Sequence, residues 1–370
     1  MIKDIDNKIN NILIVSVSSN GNGGGDTHLN YLTGYWRSLG IKVYILTIKE
    51  FNKFNLLNNV KYSLTGIQAI MKLSKLNEED ILKCNIILSA SPYPADLFHS
   101  IRLGKKYNKK LMCYFHHIVP PLFYHPFRRG FFMTVLNTFY FKYALHLVKI
   151  NNTAIFLDHP CTLHDPGIVI YEDLDAIEEE YKDKEEKIYD ICYIGRVTKP
   201  KGIIDLINTL RILHRENIKP IVAVVGAYEN KMKRKIDKLL YKFKLTDQFK
   251  FFGYVSNAKK IEILKSSKIY VSLSYEEGWS ISVMEAAYHG VPIIAYELPA
   301  YSYLHGNYYH AGVANLKEVA NLVKKLLSDI TISNKYVKNA MILVKNYNYS
   351  DIAETQIKYM ENFLQRDKHS

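Results

Sequence analysis

The sequence predicts an α/β protein of two consecutive domains, each with a parallel sheet flanked by helices. Three observations carry that prediction. Short runs of β-branched and aromatic residues alternate with helical patterns along the chain. A highly charged stretch, Glu172 to Lys187, interrupts the alternation, and a fresh α/β register begins directly after it. Each register opens with a strand that runs into a glycine-bearing loop. Two such Rossmann-like halves would face a central cleft.

Length and composition agree with this division. The chain has 370 residues, more than one comfortable core accommodates. Hydrophobic residues make up 48% and charged residues 23%, a globular composition and not a disordered one. Cys84, Cys113, Cys161 and Cys192 lack metal-ligand or disulfide-framework spacing, so a reducing, cytoplasmic setting is expected. Met1 to Asn7 carries acidic residues and no apolar signal core, so secretion is not expected. No apolar run is long enough to span a bilayer. The formal charge of +13 is uneven, with 19 basic and 10 acidic residues up to Ile170. That bias fits an anionic surface as partner, or ordinary solubilising charge.

In the first half, Asn11 to Ser16 reads as a buried strand, followed by the loop Asn20-Gly-Asn-Gly-Gly-Gly25-Asp26. Leu29, Leu32, Trp36 and Leu39 then mark a helix, and Lys42 to Thr47 the next strand. The glycines suit either close phosphate contact or a tight turn without ligand. The loop is not a dinucleotide fingerprint, because its glycine spacing is imperfect and no acidic residue closes the second strand. Strands recur at Asn85 to Ala90 and Lys110 to Phe115, the latter running into His116-His117. A histidine pair at a strand's carboxyl end is placed for ligand contact, although lone histidines are more often structural. Residues 123–149 are the most aromatic part of the chain, punctuated by Arg128, Arg129, Lys142 and Lys149. Such a segment suits a peripheral membrane contact or a core-packing helix.

In the second half, Asp190 to Ile194 reads as a strand, followed by the loop Gly195-Arg-Val-Thr-Lys-Pro-Lys-Gly202. An amphipathic helix with Ile203, Leu206, Ile207, Leu210 and Leu213 on one face comes next. Strands follow at Pro220 to Val225 and Phe249 to Phe252. Ile269 to Ser274 then leads into Tyr-Glu-Glu-Gly-Trp-Ser-Ile-Ser-Val-Met-Glu285, with Glu277 and Glu285 separated by seven residues. Val283, Met284 and Ala287 have helical spacing, Gly290 and Pro292 end the helix, and Ile293 to Tyr296 is the next strand. The loop offers free N–H groups to an anion and carboxylates to hydroxyls, a combination suited to a sugar nucleotide. Arg196 supplies a fork for phosphate oxygens and Lys201 a mobile point charge, though loop cations are often only solvated. A Ser-capped amphipathic helix is expected from Ser350 to Leu364.

Together, Gly195-Arg196-x4-Lys201-Gly202, Glu277-Gly-Trp-Ser-x4-Glu285 and Gly290-Val-Pro-Ile resemble the retaining GT-B glycosyltransferases of family 4, within the glycosyl transferases group 1. The resemblance extends to the Gly23-Gly-Gly25 loop, to His116, and to Tyr349-Ser-Asp351 at the entry to a final helix that crosses back to the first domain. It implies an acceptor domain over 1–171, a donor domain over 188–349 and a crossing helix over 350–370. Arg196 and Lys201 would bind the donor diphosphate, Glu285 the ribose hydroxyls and Glu277 the transferred sugar. Backbone amides of Gly278, Trp279, Ser280 and Ile281 would contact sugar or phosphate. Gly24 and Gly25 would approach the phosphates from the other domain, and His116 would organise the acceptor side. Departures from the family pattern are Trp279-Ser280 for a frequent Phe-Gly, Ser282 for a frequent Pro, and His117 for an acidic residue.

The implied reaction is front-face transfer of a hexose to a glycan or lipid-linked acceptor, the leaving phosphate taking the acceptor's proton. No Asp-x-Asp motif follows a strand, so neither metal nor other cofactor is expected. The expected location is the cytoplasm, with association at the cytosolic face of a membrane. Two other readings use the same fold: a non-catalytic sugar-nucleotide or glycan-binding protein, and a sugar-nucleotide epimerase. Nucleic-acid binding has only the basic charge behind it.

Overall fold

The computed structural model describes residues 8–16, 24–46, 78–115, 131–157, 187–228, 230–345, 347 and 349–365. They divide into two compact units. The first contains the described residues within Met1–Pro121, Val135–Gly167 and Asn348–Ser370; the second contains those within Leu122–Thr134 and Ile168–Tyr347.

The first unit holds a five-stranded parallel sheet of order β2-β1-β3-β4-β5. Its strands are β1 (Asn11–Val15), β2 (Lys42–Leu46), β3 (Ile86–Ser89), β4 (Lys110–Phe115) and β5 (Ala154–Leu157). Strands β1, β3 and β4 are buried almost throughout, as a parallel sheet covered on both faces requires. Helix α1 (Gly24–Ser38) buries Leu29, Leu32 and Trp36. Leu39 differs from the sequence expectation: the helix stops at Ser38, Gly40 turns with φ +84°, and Leu39 is 50% exposed. The other helices are α2 (Glu78–Lys83), α3 (Pro94–Tyr107) and, from Val135 onward, α4 (Phe131–Ile150).

The second unit holds a six-stranded parallel sheet of order β11-β10-β9-β6-β7-β8. Its strands are β6 (Tyr189–Ile194), β7 (Val222–Val225), β8 (Phe249–Gly253), β9 (Ser267–Ser272), β10 (Ile293–Tyr296) and β11 (Tyr309–Ala311). The helices are α5 (Ile203–Arg215), α6 (Asn230–Phe243), α7 (Asn257–Lys265), α8 (Ile281–Tyr288), α9 (Leu316–Ser328) and α10 (Asn334–Val344). On α5, Ile203, Leu206, Ile207, Leu210 and Leu213 are each at most 1% exposed. Burial of each such side chain contributes about 1.5–3 kcal/mol. Strand β9 starts and ends two residues earlier than its apolar pattern suggests. Its entry is fixed by Ser267, which pairs with Tyr189 of β6 and donates from Oγ to Ile263 O at 2.7 Å.

The last helix, α11 (Tyr349–Gln365), packs in the first unit although its sequence follows the second. Trp36 Nε1 donates to Ala353 O at 3.2 Å, Ile9 N to Glu361 Oε1 at 3.0 Å, and Lys110 Nζ to Phe363 O at 2.8 Å. The Tyr114 hydroxyl also bonds the Gln356 side chain. The helix begins at Tyr349, so Ser350 lies inside its first turn and not at the capping position the sequence suggested.

One glycine sets where α5 can start. Gly202 has φ +79°, and a Cβ there would stand 2.0 Å from Leu273 O at the end of β9. At Gly253, φ is +66° but nothing lies within 4 Å of such an atom. Gly253→Ala should therefore cost about 1–2 kcal/mol from left-handed backbone strain alone. Gly202→Ala should cost clearly more, because backbone must move as well. Denaturant unfolding of the two variants checks this, and equal losses would contradict it.

Candidate functional site

The second sheet places its site by strand order. The chain runs from β6 outward through β7 and β8, then returns to lay β9 on the other side of β6. The loops after β6 and β9 thus leave in opposite directions and open a crevice at the carboxyl ends of these strands. They are the loops that carry Arg196, Lys201 and Glu277. A backbone bond from Tyr275 N to Pro200 O, 2.9 Å, fastens them together. Below it, buried Asp205 in the first turn of α5 accepts from both the Tyr275 and Tyr296 hydroxyls. Gly226 permits a second close approach: a Cβ there would lie 1.9 Å from Gly195 O.

Within this frame Lys201 Nζ donates to Glu277 Oε1 at 2.7 Å, with side chains 26% and 12% exposed. The pair is half-shielded, so each group holds the other while both keep access to solvent. The Arg196 side chain is exposed and makes no hydrogen bond or ion pair with a described residue, while the backbone carbonyl accepts from Tyr193 Oη at 2.9 Å. The backbone is thereby anchored, and no described residue holds the guanidinium. Around Glu277 stand the phenols of Tyr193, Tyr270, Tyr301 and Tyr303. Burial first, and the Glu277 charge among the further causes, push each of them above the usual phenol range, so all four stay neutral.

Between Glu277 and α8 the chain is wound tightly. Ser280 precedes the helix with φ +66° and ψ +79°, without a side-chain cap. This left-handed conformation is costly for a residue with a Cβ. The N–H groups of Gly278, Trp279, Ser280 and Ile281 have no backbone acceptor among the described residues. They are the unpaired donors that a helix start offers an anion. The Trp279 indole, by contrast, is turned into the core. It is 5% exposed, stacks on Tyr303 at 4.3 Å, meets Tyr347 edge-on at 5.2 Å, and finds no hydrogen-bond partner for Nε1 among the described residues. Its contribution to this loop is packing. Ser282 accepts from the Tyr270 hydroxyl at 2.8 Å.

Glu285 lies one turn into α8, is 3% exposed, and pairs with Lys260 Nζ from α7. Burial pushes its carboxyl above the usual range, and Lys260 draws it back. Lys260, Asp205, Tyr275 and Tyr296 escaped the sequence reading. A lysine at a helix start and an aspartate among apolar residues carry no local signal. In the first unit, Gly24 and Gly25 are the first two residues of α1. His116, His117, residues 17–23 and 122–130 lie outside the described residues, as does Asp173-Leu-Asp175. Among the described residues, no three His, Cys, Asp or Glu side chains converge as metal ligands. Cys84, Cys113 and Cys192 are buried free thiols, and burial raises all three, Cys84 to about 11.

Comparison with known proteins finds a matching family segment and matching folds. Residues 175–343 match the family model for glycosyl transferases group 1. An uncharacterized glycosyltransferase of Methanocaldococcus jannaschii is 27% identical over 251 residues, 63% of this chain and 62% of that relative. Among solved structures, sucrose-phosphate synthase from Thermosynechococcus elongatus superposes with TM-score 0.71 at 14% identity, covering 96% of this chain and 99% of that one. HepE from Anabaena, in complex with UDP-glucose, superposes with TM-score 0.65 at 14% identity, covering 94% and 98%. The chain thus has the GT-B glycosyltransferase fold, and its second unit carries the segment that matches glycosyl transferases group 1.

Proposed function

We propose that this chain is a retaining glycosyltransferase of family 4 that moves a hexose from a nucleoside diphosphate sugar to a glycan or lipid-linked saccharide acceptor. The observation that carries the reading is the joined pair of loops at the β6–β9 crevice. One brings Arg196 and Lys201; the other brings Glu277 and four amides without backbone acceptors among the described residues. Negative charge grows on the diphosphate as the sugar departs, and fixed cations and amides aimed there stabilise that charge. Lys201 has three N–H donors, so it can keep Glu277 and still reach a phosphate oxygen. Glu277 Oε2 has no partner among the described residues and would accept from a hydroxyl of the transferred sugar. Glu285 would accept from the ribose. Gly24, Gly25 and His116 would serve the phosphates and the acceptor from the first unit.

The reaction needs no protein nucleophile in this scheme. The acceptor hydroxyl attacks the anomeric carbon from the face the diphosphate leaves, and a leaving-group oxygen takes the proton. Arg196 and Lys201 hold the charge that the metal supplies in metal-dependent transferases, so we propose that transfer is metal-independent. The chain acts from the cytoplasmic side on an acceptor at or near a membrane. Support for the latter comes from α4, where Phe139, Tyr143 and Ile150 are 70%, 50% and 61% exposed, with Lys142 and Lys149 beside them. No described helix is long and apolar enough to cross a membrane.

Thermal unfolding in the presence of UDP-, GDP- and ADP-sugars should show a raised Tm with one donor class, since a ligand that binds the native state stabilises it. Turnover with that donor should survive EDTA; its abolition would refute metal independence. Arg196→Ala and Lys201→Ala should each lower turnover about 10²–10³-fold while the protein stays folded. Glu277→Gln should reduce transfer more than nucleotide affinity. Nucleotide binding without turnover onto any saccharide acceptor would favour the non-catalytic reading, and isomerised donor without acceptor the epimerase. Flotation with anionic vesicles tests the membrane contact. Phe139→Asp should weaken that binding, and a chain that never floats would end the idea.

A further inference from the structure

The ion pair between Glu285 and Lys260 joins a buried carboxylate to a partly buried ammonium. The two side chains are 4% and 20% exposed and sit on successive helices of the second unit, α8 and α7. Replacing a buried ion pair with apolar groups is often neutral or stabilising, so stability alone gives little reason to keep one. Only Oε1 of Glu285 is engaged; Oε2 accepts no hydrogen bond from a described residue.

Among the described residues, the other titratable groups around Glu285 supply no positive charge. Cys192 on β6 is pushed up to about 12 by burial, and Tyr270 on β9 is raised beyond the ordinary phenol range, so both stay neutral. His289, the C-cap residue of α8, is depressed to about 4 by burial, then by Lys265 and Lys260, and is also neutral at pH 7. Among the described residues, Lys260 is the cation that hydrogen-bonds Glu285.

We propose that Lys260 is a positioning residue for donor binding: it holds the Glu285 carboxylate charged and oriented, with Oε2 left to accept from the vicinal hydroxyls of a ribose. This rests on the assignment of Glu285 to the ribose under the glycosyltransferase reading. Nothing in the sequence motifs points to Lys260. Its effect passes through Glu285, so it should govern how well ribose is told from deoxyribose more than how tightly the diphosphate is held.

The test is calorimetric titration with UDP, GDP and ADP and with their 2′-deoxy counterparts. The unaltered chain should bind one ribonucleotide about tenfold more tightly than its deoxy form. Lys260→Met should weaken that ribonucleotide about tenfold and leave the deoxy form nearly unchanged, so that the preference collapses. Without the ammonium, burial alone acts on Glu285 and raises it further. Affinity in Lys260→Met should therefore improve more steeply than in the unaltered chain as pH rises from about 5 to about 8, beyond the change that ionisation of the diphosphate gives both. Lys260→Arg should restore both the preference and the response of the unaltered chain. Should Lys260→Met fail to fold, the double variant Lys260→Met/Glu285→Gln removes both charges together. It should fold, show no ribose preference and follow pH no more steeply than the unaltered chain.

Full ribose preference in either Met variant overturns the proposal. Weakened binding in Glu285→Gln with Lys260→Met unaffected removes Lys260 alone and leaves the donor reading standing. An unaltered chain that binds none of the three diphosphates overturns both.

Discussion

The second unit depends on one close approach, where the start of α5 meets the end of β9. Gly202 sits against Leu273 O with no room for a Cβ, and Tyr275 N bonds Pro200 O at 2.9 Å. The two loops meet because β6 and β9 pair side by side, although the paired positions Tyr189 and Ser267 lie 78 positions apart in the chain, strands β7 and β8 intervening. Lys201 and Glu277 lie on either side of that contact. Their 2.7 Å hydrogen bond is a consequence of the sheet order and not of sequence proximity.

Around this contact the polar groups are graded by burial. Asp205 is nearly sealed and is satisfied by the hydroxyls of Tyr275 and Tyr296, so it acts as a rivet. Lys201 and Glu277 are half-shielded, in a setting where charges interact more strongly than in water yet remain reachable by a ligand. Arg196 is exposed. The grading separates groups that fix the backbone from groups free to act, and it explains how a loop can be rigid in its frame and available at its tip. Ser280 is the strained point of the arrangement: its left-handed backbone turns the chain from the Glu277 loop into α8.

Trp279 shows how a motif residue can change meaning in three dimensions. It stands where similar sequences frequently carry Phe, in a loop expected to meet the sugar or phosphate. Its indole turns away, stacks on Tyr303 and meets Tyr347, with 5% of its surface exposed. A large flat ring beside two tyrosines buries more apolar area by packing inward than by facing a polar crevice. The loop's contact with a ligand would then fall to its backbone amides and to Glu277.

The sequence by itself determined the fold class and the strand–loop–helix positions of the second unit. Those follow from local rules: apolar runs, helical periodicity and glycine endings. The buried face of α5 and the strands β6, β8 and β10 emerge within a residue or so of their patterns. Periodicity fails at edges, which is why Leu39 is exposed and Ser350 lies inside its helix. Partnership was decided by the tertiary structure alone. That Lys201 meets Glu277, that Glu285 is sealed against Lys260, and that two phenols converge on Asp205 all depend on strand order and on contacts between residues far apart in the chain. A one-dimensional pattern records which side of an element is apolar. It does not record which elements that side will meet.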